Sequence, residues 1–177
     1  MAEYRNTIHD FQGVHHTAHL GHGAEIFMPV LLMEGVQVGD DTLIWPFVVI
    51  GRHTQIGRGC RIQPCVAMAD NTIVGDYTFI GSNVSLADCR YPNLRAKSEE
   101  QHCPVRIGSD VILGCNSVIL PGVVIHDGAV IGAGATVTHD VPAGATVAGN
   151  PARRILGPRR PRLALNEAGQ VLGGSYG

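Results

Sequence analysis

The chain keeps a six-residue beat, and few folds can accommodate one. Counted from Ala18 in steps of six, the third residue of each hexad is Leu20, Ile26, Leu32, Val38, Ile44, Ile50, Ile56, Ile62, Met68, Val74, Ile80 and Leu86. After a fifteen-residue break the count resumes at Val105, with Ile107, Leu113, Ile119, Ile125, Ile131, Val137 and Ala143 in the same place. Seventeen of these 19 positions carry Ile, Leu or Val, and every first position carries Ala, Val, Thr, Ser or Cys. First and third residues lie on one side of a strand. A small and a large side chain therefore point together into a narrow interior, and the next three residues turn a corner. An amphipathic helix would need 3.6-residue spacing, and a sandwich would show turns every 8–12 residues. The pattern predicts an all-β parallel solenoid.

The repeat divides the chain. Residues 1–17 precede it and are expected to cap the first coil, since an open coil end is an exposed sheet edge. Residues 18–155 form the solenoid, with RYPNLRAKSEEQHCP (90–104) inserted between two complete hexads. Residues 156–177 form a tail, and Arg153 and Arg154 open a run of five arginines in ten residues. Loops that leave a rigid scaffold undisturbed often carry function.

Composition narrows the partners. The net charge is −2, so no global basic field recruits nucleic acid or an anionic membrane. The start MAEYRNTIHDF is not an apolar signal segment, and no apolar run approaches the roughly 18 residues of a membrane span. Cys60, Cys65, Cys89, Cys103 and Cys115 form no CxxC pair and are odd in number. These features predict a cytoplasmic protein with reduced thiols. Five of the nine histidines fall at His9, His15, His16, His19 and His22, and outward or corner positions for His16 and His19 favour a solvated surface over a zinc site. No metal is expected.

The hexads resemble the hexapeptide-repeat superfamily of left-handed parallel β-helices. That resemblance implies three hexads per coil, about six coils and a triangular prism roughly 30 Å long at a ~4.8 Å strand spacing. The segment VIGAGATVTHDVPAGATVAGNPARRI (130–155) resembles the C-terminal signature of its acyl-CoA-dependent transferases. There the last coils and the Gly-Asn-Pro-Ala-Arg turn line the coenzyme A groove. The resemblance makes acetyl-CoA the expected co-substrate and Gly114, Gly132, Ala133, Arg153 and Arg154 its candidate contacts. His139 stands where lysine is common in the family. The family also forms homotrimers, which agrees with outward apolar residues such as Trp45 and Phe47.

Two branches bear on the acceptor. Sugar O-acetyltransferases resemble the stretch around NVSL and PVRIGSDVILGCNSVILPGVVI, but their loop carries a His-Pro base where this chain has Tyr91-Pro92. Nucleotide-sugar N-acetyltransferases resemble GDDTLIWPFVVIG (39–51) and FIGSNVSLADCRYP (79–92). Asn83 matches that branch. Asp88 replaces its usual asparagine, and Cys65 stands where some members carry histidine. A sugar amine is partly neutral at pH 7 and needs orientation more than a base. The sequence therefore favours acetylation of an amino group on a nucleotide-linked sugar. Asn83 and Asp88 are expected to hold the amine, a backbone N–H near Gly114 to face the oxyanion, and Trp45, Tyr91 and Cys65 to line the acceptor. With a hydroxyl acceptor, His102 is the candidate base. Two further readings are a γ-carbonic-anhydrase-like zinc site and a non-catalytic scaffold. Mid-prism histidines are only His53 and His126, in distant hexads. The coenzyme signature is intact, although fold alone does not establish an activity.

Overall fold

The computed structural model describes residues 13–89 and 102–155. Every hexad but the last, which begins at Val141, yields one short strand at its second and third residues, and successive strands go to three different sheets. The first face stacks His19–Leu20, Gln37–Val38, Gln55–Ile56, Ile73–Val74, Arg106–Ile107 and Val124–Ile125. The second runs from Glu25–Ile26 through Leu43–Ile44, Arg61–Ile62, Phe79–Ile80, Ile112–Leu113 and Val130–Ile131 to Thr146–Ala148, and ends on Arg153–Arg154. The third stacks Leu31–Leu32, Val49–Ile50, Ala67–Met68, Ser85–Leu86, Val118–Ile119 and Thr136–Val137. Parallel partners such as Val38 and Ile56 are one 18-residue coil apart. The result is a left-handed parallel β-helix of about six turns; the hexads predict the parallel solenoid, and the family resemblance implies its hand.

The interior follows from the two inward positions. The third-position chains Leu32, Ile44, Ile50, Ile62, Ile80, Leu113, Ile119, Ile125 and Ile131 are almost wholly buried. First-position threonines add hydroxyls that the coils satisfy: Thr42 Oγ1 donates to the Gly57 carbonyl at 2.8 Å and accepts from the Cys60 N–H at 3.0 Å. Cys60 also fills a first position, and its burial pushes the thiol above its ordinary pKa, with nearby Asp76 adding to the effect. The fifteen-residue insertion leaves the stack intact, because Ile73 pairs with Arg106 and Val74 with Ile107.

Two features depart from the hexad count. After Val137 the chain drops two residues. Val141 bridges Ile125 and Val147 pairs with Ile131, so each partner is 16 residues away instead of 18. Val141 is therefore buried in the place the count assigns to Ala143, which is exposed. A tighter corner at His139–Asp140 absorbs the slip, with the Asp140 carboxylate accepting the Val124 N–H at 2.8 Å. The last strand also reverses. Arg153–Arg154 runs antiparallel to Thr146–Ala148 and covers the open edge of the second face. At the other end, Val14 already bridges Leu32, so the coil path begins before Ala18. Among the described residues no helix is long and apolar enough to cross a membrane.

Candidate active site

Three edges join the faces, and the fourth to sixth residues of each hexad build them. Most of the candidate residues fall on the edge between the second and third faces. Trp45, Phe47, Cys65, Asn83, Gly114, Gly132 and Ala133 all lie there, in successive coils. The column is tied by backbone bonds: Cys65 N–H donates to the Pro46 carbonyl at 3.3 Å, Asn83 N–H to Pro64 at 3.1 Å and Asn116 N–H to Ser82 at 2.8 Å. Cys65 therefore sits directly beneath Asn83.

This edge differs from the other two in its backbone donors. On the other two edges, four fifth hexad residues have their N–H capped by a carboxylate of the next coil. Asp40 accepts from His22 at 2.7 Å, Asp70 from Arg52 at 2.7 Å, Asp76 from Arg58 at 3.0 Å and Asp127 from Ser109 at 2.8 Å. On the second–third edge the fifth residues include Pro46, Pro64, Ser82, Cys115 and Ala133, with no carboxylate among them. The N–H groups of Ser82, Cys115 and Ala133 make no hydrogen bond among the described residues. Unpaired amide donors in a row fit the carbonyl groups of an extended ligand.

The glycines on this edge have a structural reason of their own. A Cβ on Gly114 would lie 2.4 Å from the Ala133 nitrogen, and one on Gly132 would lie 2.8 Å from the Ala148 Cβ. Gly39 and Gly57, on another edge, are equally pressed by the coil above. Gly114 is therefore required by stacking, and its own N–H already donates to the Ile131 carbonyl at 2.8 Å. The unpaired donor near Gly114 is the Cys115 N–H. Arg153 and Arg154 are exposed in the reversed final strand, with Arg153 Nη1 donating to the Ala152 carbonyl at 2.9 Å.

Asp88 lies on a different edge, between the third and first faces, where the inserted loop leaves the prism. The loop returns beside its exit. Cys89 and His102 form an antiparallel bridge, and the Cys103 N–H donates to the Asp88 carbonyl at 2.6 Å. The Cys103 carbonyl in turn accepts from the Gly122 N–H of the next coil at 2.7 Å. This stem brings His102 Nδ1 to 2.5 Å from Asp88 Oδ2, with the carboxylate partly buried and the imidazole more open. A carboxylate on Nδ1 fixes the imidazole orientation and leaves Nε2 to take a proton.

Asn83 and Asp88 are not brought together. Five residues and the width of the third face separate them, up to roughly 16 Å of extended chain, so they do not share one small group within a single copy. Tyr91 and Pro92 lie outside the described residues, as do residues 1–12, 90–101 and the tail from 156. Among the described residues no three His, Cys, Asp or Glu side chains gather to hold a metal.

Known proteins are similar to this chain in sequence and in fold. Galactoside O-acetyltransferase of Escherichia coli is 36% identical over 125 residues, covering 67% of this chain and 62% of that protein. A 2,3,4,5-tetrahydropyridine-2,6-dicarboxylate N-acetyltransferase of Staphylococcus aureus is 60% identical over 52 residues, which cover 29% of this chain and 22% of that protein. The match spans less than two thirds of the length of these relatives. Among solved structures, AntD, an N-acyltransferase from Bacillus cereus in complex with dTDP and 3-hydroxybutyryl-CoA, superposes with a TM-score of 0.63 at 21% identity, covering 81% of this chain and 82% of that one. The acetyltransferase domain of PglB from Neisseria gonorrhoeae, in complex with acetyl coenzyme A, gives 0.55 at 20% identity over 80% and 56%. The family model for the bacterial transferase hexapeptide (six repeats) matches residues 35–70, 53–88 and 104–139, on both sides of the inserted loop. With the matched blocks in register with its coils on both sides of the insertion, the chain belongs to the bacterial transferase hexapeptide family.

Proposed function

We propose that the protein transfers an acetyl group from acetyl-CoA to a hydroxyl of a small sugar-like acceptor, with the Asp88–His102 pair as general base. The observation that carries this reading is the Asp88–His102 contact, held by a loop stem bonded to the coils on both sides. A hydroxyl is almost fully protonated at neutral pH and needs such a base to attack a thioester. His102 Nε2 takes the hydroxyl proton as the oxygen bonds to the acyl carbon, and the Asp88 carboxylate stabilises the imidazolium. The Ser82 N–H, beside Asn83, donates to the developing oxyanion. The tetrahedral intermediate collapses, the C–S bond breaks, and the coenzyme thiolate leaves with the proton that the His102 imidazolium returns to it. The Cys115 and Ala133 N–H groups, on successive coils, hold the amide carbonyls of the pantetheine arm, and Arg153 and Arg154 serve its phosphates. The 36% identity to galactoside O-acetyltransferase supports the same reading.

On this reading the reaction falls between copies of the chain. Asn83 and the Asp88–His102 pair flank the third face from opposite edges, and exposed Leu31 and Val49 make that face apolar. A homotrimer, acting in the cytoplasm, brings one copy's second–third edge against the next copy's third–first edge and completes three equivalent sites.

A second reading, N-acetylation of a nucleotide-linked amino sugar with direct amine attack, is favoured by the 60% match to an N-acetyltransferase and by Tyr91-Pro92 in place of His-Pro. A panel of sugar alcohols, amino sugars and amino-sugar nucleotides assayed with acetyl-CoA separates the two. The hydroxyl reading expects an ester product cleaved by mild hydroxylamine. A hydroxylamine-stable amide as the sole product overturns it in favour of the amine.

A further inference from the structure

Among the described residues, nine non-glycine residues hold positive φ, all at the sixth hexad position. Six of them are Asn, Asp or His, which tolerate the left-handed region. Cys65, Tyr77 and Phe47 are the exceptions, and the two aromatics can be compared directly. Tyr77, at φ 54°, is compensated inside the fold. Its ring covers Gly59, where a Cβ would come within 2.5 Å of Cδ1, and the Arg58 guanidinium carbon stands 5.4 Å from the ring centroid. Phe47, at φ 63°, is not. It is 65% exposed and has no ring or cation contact among the described residues. An aromatic side chain that is both strained and exposed marks a place where something outside the chain completes the contact.

We infer that Phe47 is a specificity-determining residue that receives a flat ring carried by the acceptor, an inference that rests on the acyl-transfer reading above. Three observations point to that occupant. Phe47 lies on the edge that carries Asn83, two coils lower and roughly 10 Å away, which matches the span from a reacting sugar to a second ring. Trp45, one corner residue away, pairs with Phe27 at 5.6 Å between centroids and a 32° tilt, so the lower edge is already an aromatic strip. The corner residues there, Phe27, Met28, Pro29, Trp45, Pro46 and Phe47, carry no charge. Offset stacking and apolar contact are the forces such a strip offers.

Trp45 is the only tryptophan, so its emission reports on this strip without requiring turnover. The test titrates a phenyl glycoside and the matching methyl glycoside into the parent chain and into Phe47→Asn. Asparagine already occupies the equivalent corner at Asn83 and Asn116, so the variant is expected to fold with no loss of Tm. The phenyl compound should quench Trp45 saturably and at least tenfold more tightly than the methyl compound, and Phe47→Asn should abolish that difference. The mass by light scattering should not change. Equal affinities, a preference that survives Phe47→Asn, or dissociation of the assembly in Phe47→Asn would each overturn the inference, the last by giving Phe47 to a subunit contact. Loss of acyl transfer to every acceptor, with the fluorescence preference intact, would count against the proposed reaction and leave the ring site standing.

Discussion

Substituting Cys115 by proline removes a single backbone N–H from the proposed coenzyme edge and changes little else. Proline suits this place, because Pro46 and Pro64 hold the same fifth position in lower coils of the same edge. The Cys115 N–H has no hydrogen-bond partner among the described residues, so folding loses nothing when it goes. If that donor holds a pantetheine carbonyl, its loss forfeits one neutral hydrogen bond, about 0.5–1.5 kcal/mol net. The KM for acetyl-CoA should then rise roughly 2- to 10-fold. Turnover at saturation should hold, because the contact is made equally in ground and transition states. Cys115→Ser keeps the N–H and removes the thiol, and should behave like the parent. The assay is initial-rate thiol release with acetyl-CoA varied, alongside a melting curve for each variant. An unchanged KM in Cys115→Pro, with Tm preserved, would refute the placement of the coenzyme on this edge. A fall in kcat at constant KM would move the donor to the oxyanion.

The register slip and the buried thiol give two more expectations. Val141→Asp should place a charge in the core and cost more than about 3 kcal/mol, on the order of 10 °C in Tm, while Ala143→Asp should stay within about 0.5 kcal/mol; a comparable cost for Ala143→Asp by calorimetry would restore the uninterrupted hexad count. Cys60 should resist a thiol reagent in the native protein at pH 8 while exposed Cys65, Cys103 and Cys115 react. Its folded pKa is raised, so its stabilising contribution is complete below the unfolded value of 9.0 and is lost as pH rises through the folded one. Denaturant melts of the parent should therefore lose stability above pH 9 relative to Cys60→Ala, and parallel curves would count against that assignment.

The fold was legible because its signal is periodic and local. Small first residues and large third residues recur through twelve hexads before the loop, and the pairs Val38–Ile56 and Ile44–Ile62 follow directly. The count lost its phase where the signal weakens. Ala143 is a poor third residue, and Val141, two places earlier, is a good one; a reading that let the phase slip at the weak position would have found it. The reversal at Arg153–Arg154 left no mark in the pattern, because it depends on the open end of the second face. The shared edge of Asn83, Cys65 and Gly114 follows from arithmetic on multiples of 18 plus the insertion. The Asp88–His102 contact does not, since it depends on where the loop returns, and no spacing encodes that. The proximity expected of Asn83 and Asp88 treated five residues as a short distance, whereas a corner and a strand intervene.

The most direct test of the proposed chemistry is a double-mutant cycle on that contact, with the hydroxyl acceptor found in the panel. A general base contributes about 10²–10⁴-fold. His102→Ala should lower kcat/KM at least 100-fold, Asp88→Asn should lower it less, and the double variant should be no worse than His102→Ala alone, because the carboxylate acts only through the imidazole. A loss below tenfold in His102→Ala, with Asp88→Asn the more damaging change, would contradict His102 as the base.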